Sequence, residues 1–272
     1  MGVQHSGSPG PSASPSGMPA AVPRPAHIVV VVMENHSYGS IIGSPDAPYI
    51  NKLASQGALL TRSYGVTHPS EPNYLALFSG STQGVSSDQC PLTLHGPNLA
   101  ADLIAAGLTF RGYSEGLPAP GSGTCSAGAY ARKHVPWADF TTVPRSDSQP
   151  FGSFAATAFA KLPDVAFVIP DLCHDMHDCS VGTGDAWLRA HVRAYADWAL
   201  RHNSVLIVTW DEDDGSASNH IATIVVGQRV RPGRYRQPVD HYNVLRTIEQ
   251  AFGLPLRGAA ATHYPISFIW AH

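Results

Sequence analysis

Short, uninterrupted runs of apolar and mostly β-branched residues alternate with helix-like patterns along most of this chain. Such runs, which lack polar alternation, are typical of strands buried on both faces, as in parallel sheets. They predict strands over Ile28–Met33, Thr109–Tyr113, Val165–Ile169, Val205–Trp210 and Ile221–Val226. Between them, apolar residues recur at helical spacing, most clearly over Asp185–His202 and Asp240–Phe252. Two further helices are predicted over Pro97–Ala106 and Phe151–Lys161. The alternation predicts an α/β fold, a three-layer sandwich around a mostly parallel central sheet.

The first 26 residues differ from the rest of the chain. They contain six Pro, four Gly and five Ser, and Arg24 is their only charged residue. A segment of this composition cannot bury enough apolar surface to offset the entropy lost on ordering. We therefore expect a disordered tail or linker over 1–26 and one domain over 27–272, with no internal repeat. The segment lacks the apolar core of an intact signal peptide.

Composition excludes several classes of protein. The 17 basic and 20 acidic residues leave a net charge of −3, and 43% of residues are hydrophobic. This near-neutral balance gives no electrostatic reason to expect a nucleic-acid partner. No apolar run approaches the roughly 20 residues that cross a bilayer, so we expect no transmembrane segment.

Four cysteines allow three pairings. The simplest pairs Cys90 with Cys125 and Cys173 with Cys179, which would place the protein in an oxidising, secreted or extracytoplasmic compartment. The alternative is a zinc site, because four potential ligands are packed together at Cys173, His174, His177 and Cys179.

Acidic and amide side chains follow two of the predicted strands. Glu34 and Asn35 come directly after the first strand, and Asp211 and Glu212 follow the strand that ends at Trp210. In open α/β sheets, ligands bind beyond the carboxyl ends of the strands. Clustered carboxylates repel one another unless a cation binds them, and oxygen ligands suit a hard or borderline divalent ion. The sequence therefore predicts a divalent metal site at this edge.

Ser70 lies at the start of a predicted helix, with Pro72 in its first turn. Serine is a favoured N-cap, which gives Ser70 a purely structural role. The same position also suits a nucleophile, because N–H groups at a helix start and a nearby cation favour an alkoxide and hold a phosphoryl oxygen. This motif alone leaves both roles open.

Five motifs, in this order along the chain, resemble the bacterial phosphoesterase family, which includes phospholipases C and acid phosphatases and belongs to the alkaline phosphatase superfamily. The motifs are Met33–Ser37, His68–Tyr74, Asp175–Asp178, Thr209–Gly215 and Asp240–Tyr242. The resemblance extends from about residue 27 to residue 270. It implies an alkaline-phosphatase-like fold and the hydrolysis of phosphate esters.

The resemblance also implies a role for each matching residue. Ser70 is the nucleophile and a metal ligand, and the remaining ligands of the first ion are Glu34, Asn35, Asp211 and Glu212. Asp175, His177 and His241 match residues that hold a second metal, or the phosphate and leaving group. We therefore expect Asp175 to bind metal and both histidines to be catalytic, with the presence of a second ion left open.

His134 is expected to contact substrate, because Tyr130–Pro136 resembles a recurrent His-Asn-Pro stretch in which Val135 here replaces Asn. Similarly, His174 stands where Asn is expected.

The predicted reaction is metal-dependent hydrolysis of a phosphate ester through a phosphoserine at Ser70. An acid-phosphatase-type phosphomonoesterase is favoured, acting on a small phosphate ester or a phospholipid. Three alternatives stay open. One is a phospholipase C or another phosphodiesterase, and another is a non-enzymatic secreted module that binds metal. The third is a metal-independent serine esterase using Ser70, His241 and Asp211, although no Gly-x-Ser-x-Gly motif surrounds Ser70.

Overall fold

The structure, a computed structural model, describes residues 21–271. In chain order its strands are β1 (His27–Met33), β2 (Ala58–Tyr64), β3 (Phe110–Ser114), β4 (Ser126–Ala127), β5 (Tyr130–Ala131), β6 (Ser148–Pro150), β7 (Val165–Ile169), β8 (Ser204–Trp210), β9 (His220–Gly227), β10 (Gly233–Tyr235) and β11 (Val239–Asp240). Its α-helices are α1 (Tyr38–Ile41), α2 (Pro48–Gln56), α3 (Ser70–Ser79), α4 (Leu99–Ala105), α5 (Gly152–Ala156), α6 (Val181–His191), α7 (Arg193–Ala199) and α8 (His241–Phe252).

The main sheet has the strand order β10-β2-β9-β8-β1-β7-β3-β6, and β11 also pairs with β2. Strand β1 pairs in parallel with both β7 and β8, and β3 pairs in parallel with β7 and β6. Strand β9 is antiparallel to β8 and β2. The predicted, mostly parallel sheet is confirmed, and its parallel part places the ends of β1, β7 and β8 side by side.

Strand β1 shows why the fold has three layers. Its alternate residues Ile28, Val30 and Val32 belong to one apolar cluster, which also contains residues of α3, α4 and α8. Val29, Val31 and Met33 belong to a second cluster, with residues of α2, α6 and α7. Because successive side chains of a strand point to opposite faces, a continuous apolar run can fill both layers.

Two predicted helices have different bounds in the structure. The pattern over Asp185–His202 corresponds to α6 and α7, and α6 begins earlier because the Ser180 side chain accepts the N–H of Thr183 as its N-cap. A helical pattern over Phe151–Lys161 gives only α5 and a short 3-10 turn at Phe159–Lys161. Thr157 ends α5, and its hydroxyl donates to the Ser153 carbonyl.

Most of the predicted tail lies outside the described residues. Of the tail residues that the structure describes, 22–26 run along the domain, and Val22 and Pro25 are buried. The Arg24 guanidinium lies 5.6 Å from the centroid of the Phe252 ring, and the Arg24 carbonyl accepts a hydrogen bond from the Asn203 side chain. These contacts attach the segment to α8 and to the turn before β8.

Both predicted cysteine pairs form disulfides, Cys90–Cys125 and Cys173–Cys179. The zinc alternative is not supported, because the sulfurs of Cys173 and Cys179 are bonded to each other. Over residues 21–271, we find no helix that combines the length and apolarity needed to cross a bilayer.

Glu249 in α8 should make stability depend on pH. Its Oε1 accepts the Arg257 N–H at 3.0 Å, and its Oε2 has no hydrogen-bond partner within residues 21–271. Burial raises the pKa of Glu249 from 4.5 to about 8. The folded state therefore retains a proton that the unfolded chain loses, so stability falls as pH rises from about 4.5 to 8. We expect Glu249→Gln to stabilise the protein by on the order of 4 kcal/mol at pH 8, at about 1.4 kcal/mol for each pH unit between about 4.5 and 8, and by less than ~1 kcal/mol at pH 5.

Urea unfolding of wild type and variant at both pH values checks this expectation. An equal gain at pH 5 and pH 8 would show that Glu249 is charged in the folded state.

Candidate active site

Three buried carboxylates meet at the carboxyl ends of β1 and β8. Glu34 follows β1, and Asp211 and Glu212 follow β8, whose last residue pairs in register with Met33. One oxygen from each of the three lies within 4.8 Å of the others. They are 0%, 1% and 5% exposed, respectively. Sheet register thus brings together the acids that the sequence placed after two separate strands.

Ser70 faces this cluster from the start of α3. Its Oγ lies 3.0 Å from Glu34 Oε2 and 3.1 Å from Glu212 Oε1. Pro69 holds the N-cap position, so Ser70 is the first residue of the helix and its hydroxyl does not cap the backbone. A hydroxyl has one proton to donate, so it can satisfy only one of the two carboxylates at a time. The geometry therefore favours a chemical role for Ser70 over the capping role.

His134 lies between two carboxylates on the other side of Glu34. Its Nε2 is 3.2 Å from Glu34 Oε1, and its Nδ1 is 3.3 Å from Asp175 Oδ2. Tyr74, one helical turn after Ser70, donates its hydroxyl to Glu34 Oε1 at 2.7 Å and stacks on the His134 ring. Burial lowers the pKa of His134 to about 4, in spite of the Glu34 charge.

Asp175 and His177 occupy the loop after β7. The carboxylate of Asp175 accepts the His177 N–H at 2.8 Å and reaches the cluster through His134. The ring of His177 lies 6.0 Å from that of His134, and its Nδ1 is 2.7 Å from Asp178 Oδ1. The Nε2 of His177 is therefore the ring nitrogen left to act on another group.

The structure gives positioning contacts to His241 and Asn35. His241 is the first residue of α8, and its Nε2 lies 2.5 Å from the backbone carbonyl of Asp211. The Asn35 N–H donates to Asp211 Oδ1 at 3.2 Å. Both residues thus hold Asp211 in place from its backbone and its carboxylate.

Sequence reasoning gave no role to Tyr74 or His68. Nδ1 of His68 lies 2.5 Å from Glu212 Oε2, and its Nε2 lies 3.4 Å from Asp213 Oδ1. Tyr74 stands four residues after Ser70, a spacing that places both side chains on one face of a helix and could have identified it. His68 stands two residues before Ser70 in the same motif, but only the cluster itself shows what it contacts.

The donor set fits a divalent cation. Burial, and then the charges of Glu34 and Glu212, hold the pKa of Asp211 well above its usual range, and burial also raises the pKa of Glu34 and Glu212. The buried Oδ2 of Asp211 has no hydrogen-bond partner among the described residues. Three carboxylates and a hydroxyl supply the oxygen ligands that hard divalent ions prefer, and such an ion would offset their mutual repulsion.

Residues 44–255 match the model of the Phosphoesterase family. The chain belongs to the Phosphoesterase family. This confirms the resemblance drawn from the five motifs, and the predicted enzyme class with it: the chain is a hydrolase that acts on phosphoric ester bonds.

Two relatives of this Phosphoesterase family chain carry names for an activity. A phosphatidylinositol-3-phosphatase of Mycobacterium tuberculosis is 53% identical over 253 residues, covering 92% of this chain and 85% of the relative. An acid phosphatase of Aspergillus fumigatus is 32% identical over 227 residues, covering 76% of this chain. The match spans only 51% of that fungal protein, about half of its length.

Solved structures agree with this family on the fold. A protein of the alkaline phosphatase superfamily from Vibrio parahaemolyticus superposes with a TM-score of 0.61 at 13% identity, covering 90% of this chain and 72% of that one. The lipoteichoic acid synthase LtaP from Listeria monocytogenes gives 0.64 at 10% identity, covering 94% and 78%. The predicted alkaline-phosphatase-like fold is confirmed.

Proposed function

We propose that this chain is a phosphomonoesterase that depends on a divalent metal and works through a phosphoserine at Ser70. The observation that supports this most directly is the position of the Ser70 hydroxyl. It lies at about 3 Å from two carboxylates of a buried triad and at the first position of a helix. A serine that only packed or capped would not need three acids that repel one another beside it.

The ion would be held by Glu34, Asp211 and Glu212 together with Ser70. When bound, a divalent cation neutralises the carboxylates and lowers the pKa of a coordinated hydroxyl. Ser70 Oγ, which would give its proton to one of the two carboxylates that accept its hydrogen bond, attacks phosphorus, the bond from phosphorus to the alcohol oxygen breaks, and a phosphoserine forms. Water hydrolyses the phosphoserine, which releases inorganic phosphate and restores the hydroxyl.

His177 is the proposed proton donor to the leaving alcohol. Asp178 bonds its Nδ1, which fixes the ring and leaves Nε2 for the alcohol oxygen. The His134 ring lies next to it and is wedged between Glu34 and Asp175. We propose that His134 and Asp175 hold the loop of His177 in a fixed position relative to the carboxylate cluster. His134 would also border the substrate, and Asp175 would be available to a second ion.

The relatives support a phosphate monoester as substrate. One is named a phosphatidylinositol-3-phosphatase and another an acid phosphatase. We therefore favour a monoester over the diester that a phospholipase C would cleave, and include phosphorylated inositol lipids in the substrate class. The two disulfides support action in an oxidising, extracytoplasmic compartment.

The geometry disfavours the serine esterase alternative. A catalytic triad needs a histidine nitrogen on the serine hydroxyl. Within residues 21–271, the side-chain hydrogen bonds of Ser70 Oγ go to Glu34 and Glu212, and His241 bonds the Asp211 backbone instead.

A substrate panel tests the proposed function. The full chain would be assayed with p-nitrophenyl phosphate, bis-p-nitrophenyl phosphate, phosphatidylcholine and phosphatidylinositol 3-phosphate, before and after chelation and with added divalent ions. We expect the two monoesters to be hydrolysed, activity to be lost on chelation, and a divalent ion to restore it. Acid quenching with ³²P-labelled substrate should leave label on Ser70.

Activity that survives complete metal removal would contradict the metal dependence. Faster cleavage of the diester than of the monoester would instead make the chain a phosphodiesterase.

A further inference from the structure

An ion pair lies beside the nucleophile, outside the three-carboxylate cluster. Lys133 Nζ is 2.7 Å from Asp88 Oδ2, and Asp88 Oδ1 accepts the N–H of Glu71 at 3.1 Å. Glu71 follows Ser70, so this N–H belongs to the first turn of α3. One carboxylate therefore bridges a lysine ammonium and a backbone N–H at the start of the helix that carries the nucleophile.

The pair acts on the groups of the catalytic cluster. Partial burial lowers the pKa of Lys133, but the hydrogen bond and the charge of Asp88, together with the charges of Glu34 and Asp211, raise this pKa above its usual value. The Asp88 charge in turn contributes to the raised pKa of Glu212. Lys133 also directly precedes His134, whose ring contacts Glu34. Through Asp88, the ammonium is thus linked to the first turn of α3, next to Ser70.

The two groups that donate to Asp88, the Lys133 ammonium and the Glu71 N–H, are of the kinds that bind phosphoryl oxygens. Backbone N–H groups at a helix start and a lysine ammonium are both common phosphate ligands. A carboxylate held by the same donors resembles a bound phosphoryl anion in charge and in hydrogen bonding. While it stays there, it also adds negative charge close to the path of an anionic substrate.

Asp88 has room to leave this position. Its side chain is 31% exposed and that of Lys133 is 23% exposed. A cavity of about 180 Å³ lies beside the pair and is lined by both residues and by the Cys90–Cys125 disulfide. The disulfide anchors the backbone two residues after Asp88, so the side chain can rotate while its loop stays in place.

We propose that Lys133 binds a phosphoryl oxygen of the substrate, and that Asp88 occupies this position in the free enzyme until substrate displaces it. The proposal rests on the proposed phosphatase function of Ser70. Lys133 is then a substrate-binding residue, and Asp88 is an internal competitor that weakens the binding of phosphate and of phosphate esters.

Binding of inorganic phosphate tests the proposal, measured by calorimetry on the metal-loaded protein and as the inhibition constant against p-nitrophenyl phosphate. We expect Asp88→Ala to tighten phosphate binding about tenfold and to lower KM, and Lys133→Gln to weaken binding about tenfold, which is the scale of one charge-assisted hydrogen bond. Asp88→Asn retains an acceptor for the Glu71 N–H but loses the charge, so it should fall between wild type and Asp88→Ala.

The double variant separates displacement from a general charge effect. If Asp88 competes for Lys133, Asp88→Ala should change phosphate binding much less in the Lys133→Gln background than in wild type. Fully additive effects would overturn the competition. The matched controls are Asp46→Ala and Lys161→Gln, both at exposed positions, which should bind phosphate as wild type does.

Wild-type hydrolysis of p-nitrophenyl phosphate checks the proposed function separately. An active wild type with Asp88 and Lys133 variants that bind phosphate like the controls would overturn the role of the pair and leave the phosphatase function standing.

Discussion

Replacing Ser70 with Ala should reduce kcat/KM for phosphate monoesters by about 10⁴-fold or more, which is the scale of losing a nucleophile. The reason is that no other hydroxyl hydrogen-bonds two members of the carboxylate cluster within residues 21–271. The fold should persist, because the Ser70 hydroxyl does not cap α3. The metal should also remain, because Glu34, Asp211 and Glu212 are unchanged.

Ser79→Ala is the matched control, since it makes the same change at the other end of the same helix. The Ser79 hydroxyl lies 2.8 Å from the Leu75 carbonyl and 3.0 Å from the Ser81 carbonyl, and it donates to one of them at a time, away from the cluster. The measurements are steady-state kinetics, metal content by elemental analysis, and circular dichroism. A Ser70→Ala protein with more than about a tenth of wild-type activity would exclude Ser70 as the nucleophile.

We expect Asp211→Asn to lose the bound metal and to lower kcat/KM for phosphate monoesters about 10³-fold. Asp211 contributes a buried carboxylate oxygen that has no hydrogen-bond partner among residues 21–271, so this oxygen is available to a cation. Asparagine retains an oxygen for the Asn35 N–H but lacks the charge, and hard divalent ions bind more weakly as ligand charge falls. Dialysis against micromolar metal followed by elemental analysis should find wild type loaded and the variant nearly empty.

Asp185→Asn is the control for the loss of a buried carboxylate as such. Asp185 is 4% exposed and accepts the N–H groups of Tyr49 and Ile50 at the start of α2. Its replacement should lower the unfolding midpoint but leave metal content unchanged. Full metal occupancy in Asp211→Asn would show that the cation binds elsewhere.

The strands of the sheet could be predicted because burial on both faces leaves a continuous apolar run. Strand β2 was missed, and its sequence shows why. Ala58–Leu60 is buried, but Thr61 and Arg62 are partly or fully exposed, so the run is broken by polar residues. Its neighbours β10 and β11 are two or three residues long and carry no periodic pattern.

The position of the acids at the sheet edge followed from the strands alone. Glu34 and Asp211 come directly after buried runs, and parallel pairing then forces them together. The contacts of the histidines could not be predicted from the strands. Whether His241 meets Ser70 or the Asp211 carbonyl depends on how the start of α8 packs, and nothing in the spacing of residues 240–242 determines this. The sequence does not indicate a role for Asp88, because a single acidic residue in a loop belongs to no recognisable pattern.

The Cys173–Cys179 bond closes a small ring of chain around Asp175 and His177. The carboxylates proposed to bind the ion, Glu34, Asp211 and Glu212, by contrast follow the ends of β1 and β8 and are positioned by strand pairing rather than by a disulfide. Strand pairing thus positions the carboxylates, whereas the segment that carries His177 is also held by a bond that forms only where thiols are oxidised. We expect a chain folded under reducing conditions to keep the three carboxylates together and to lose the covalent constraint on its proposed proton donor, His177.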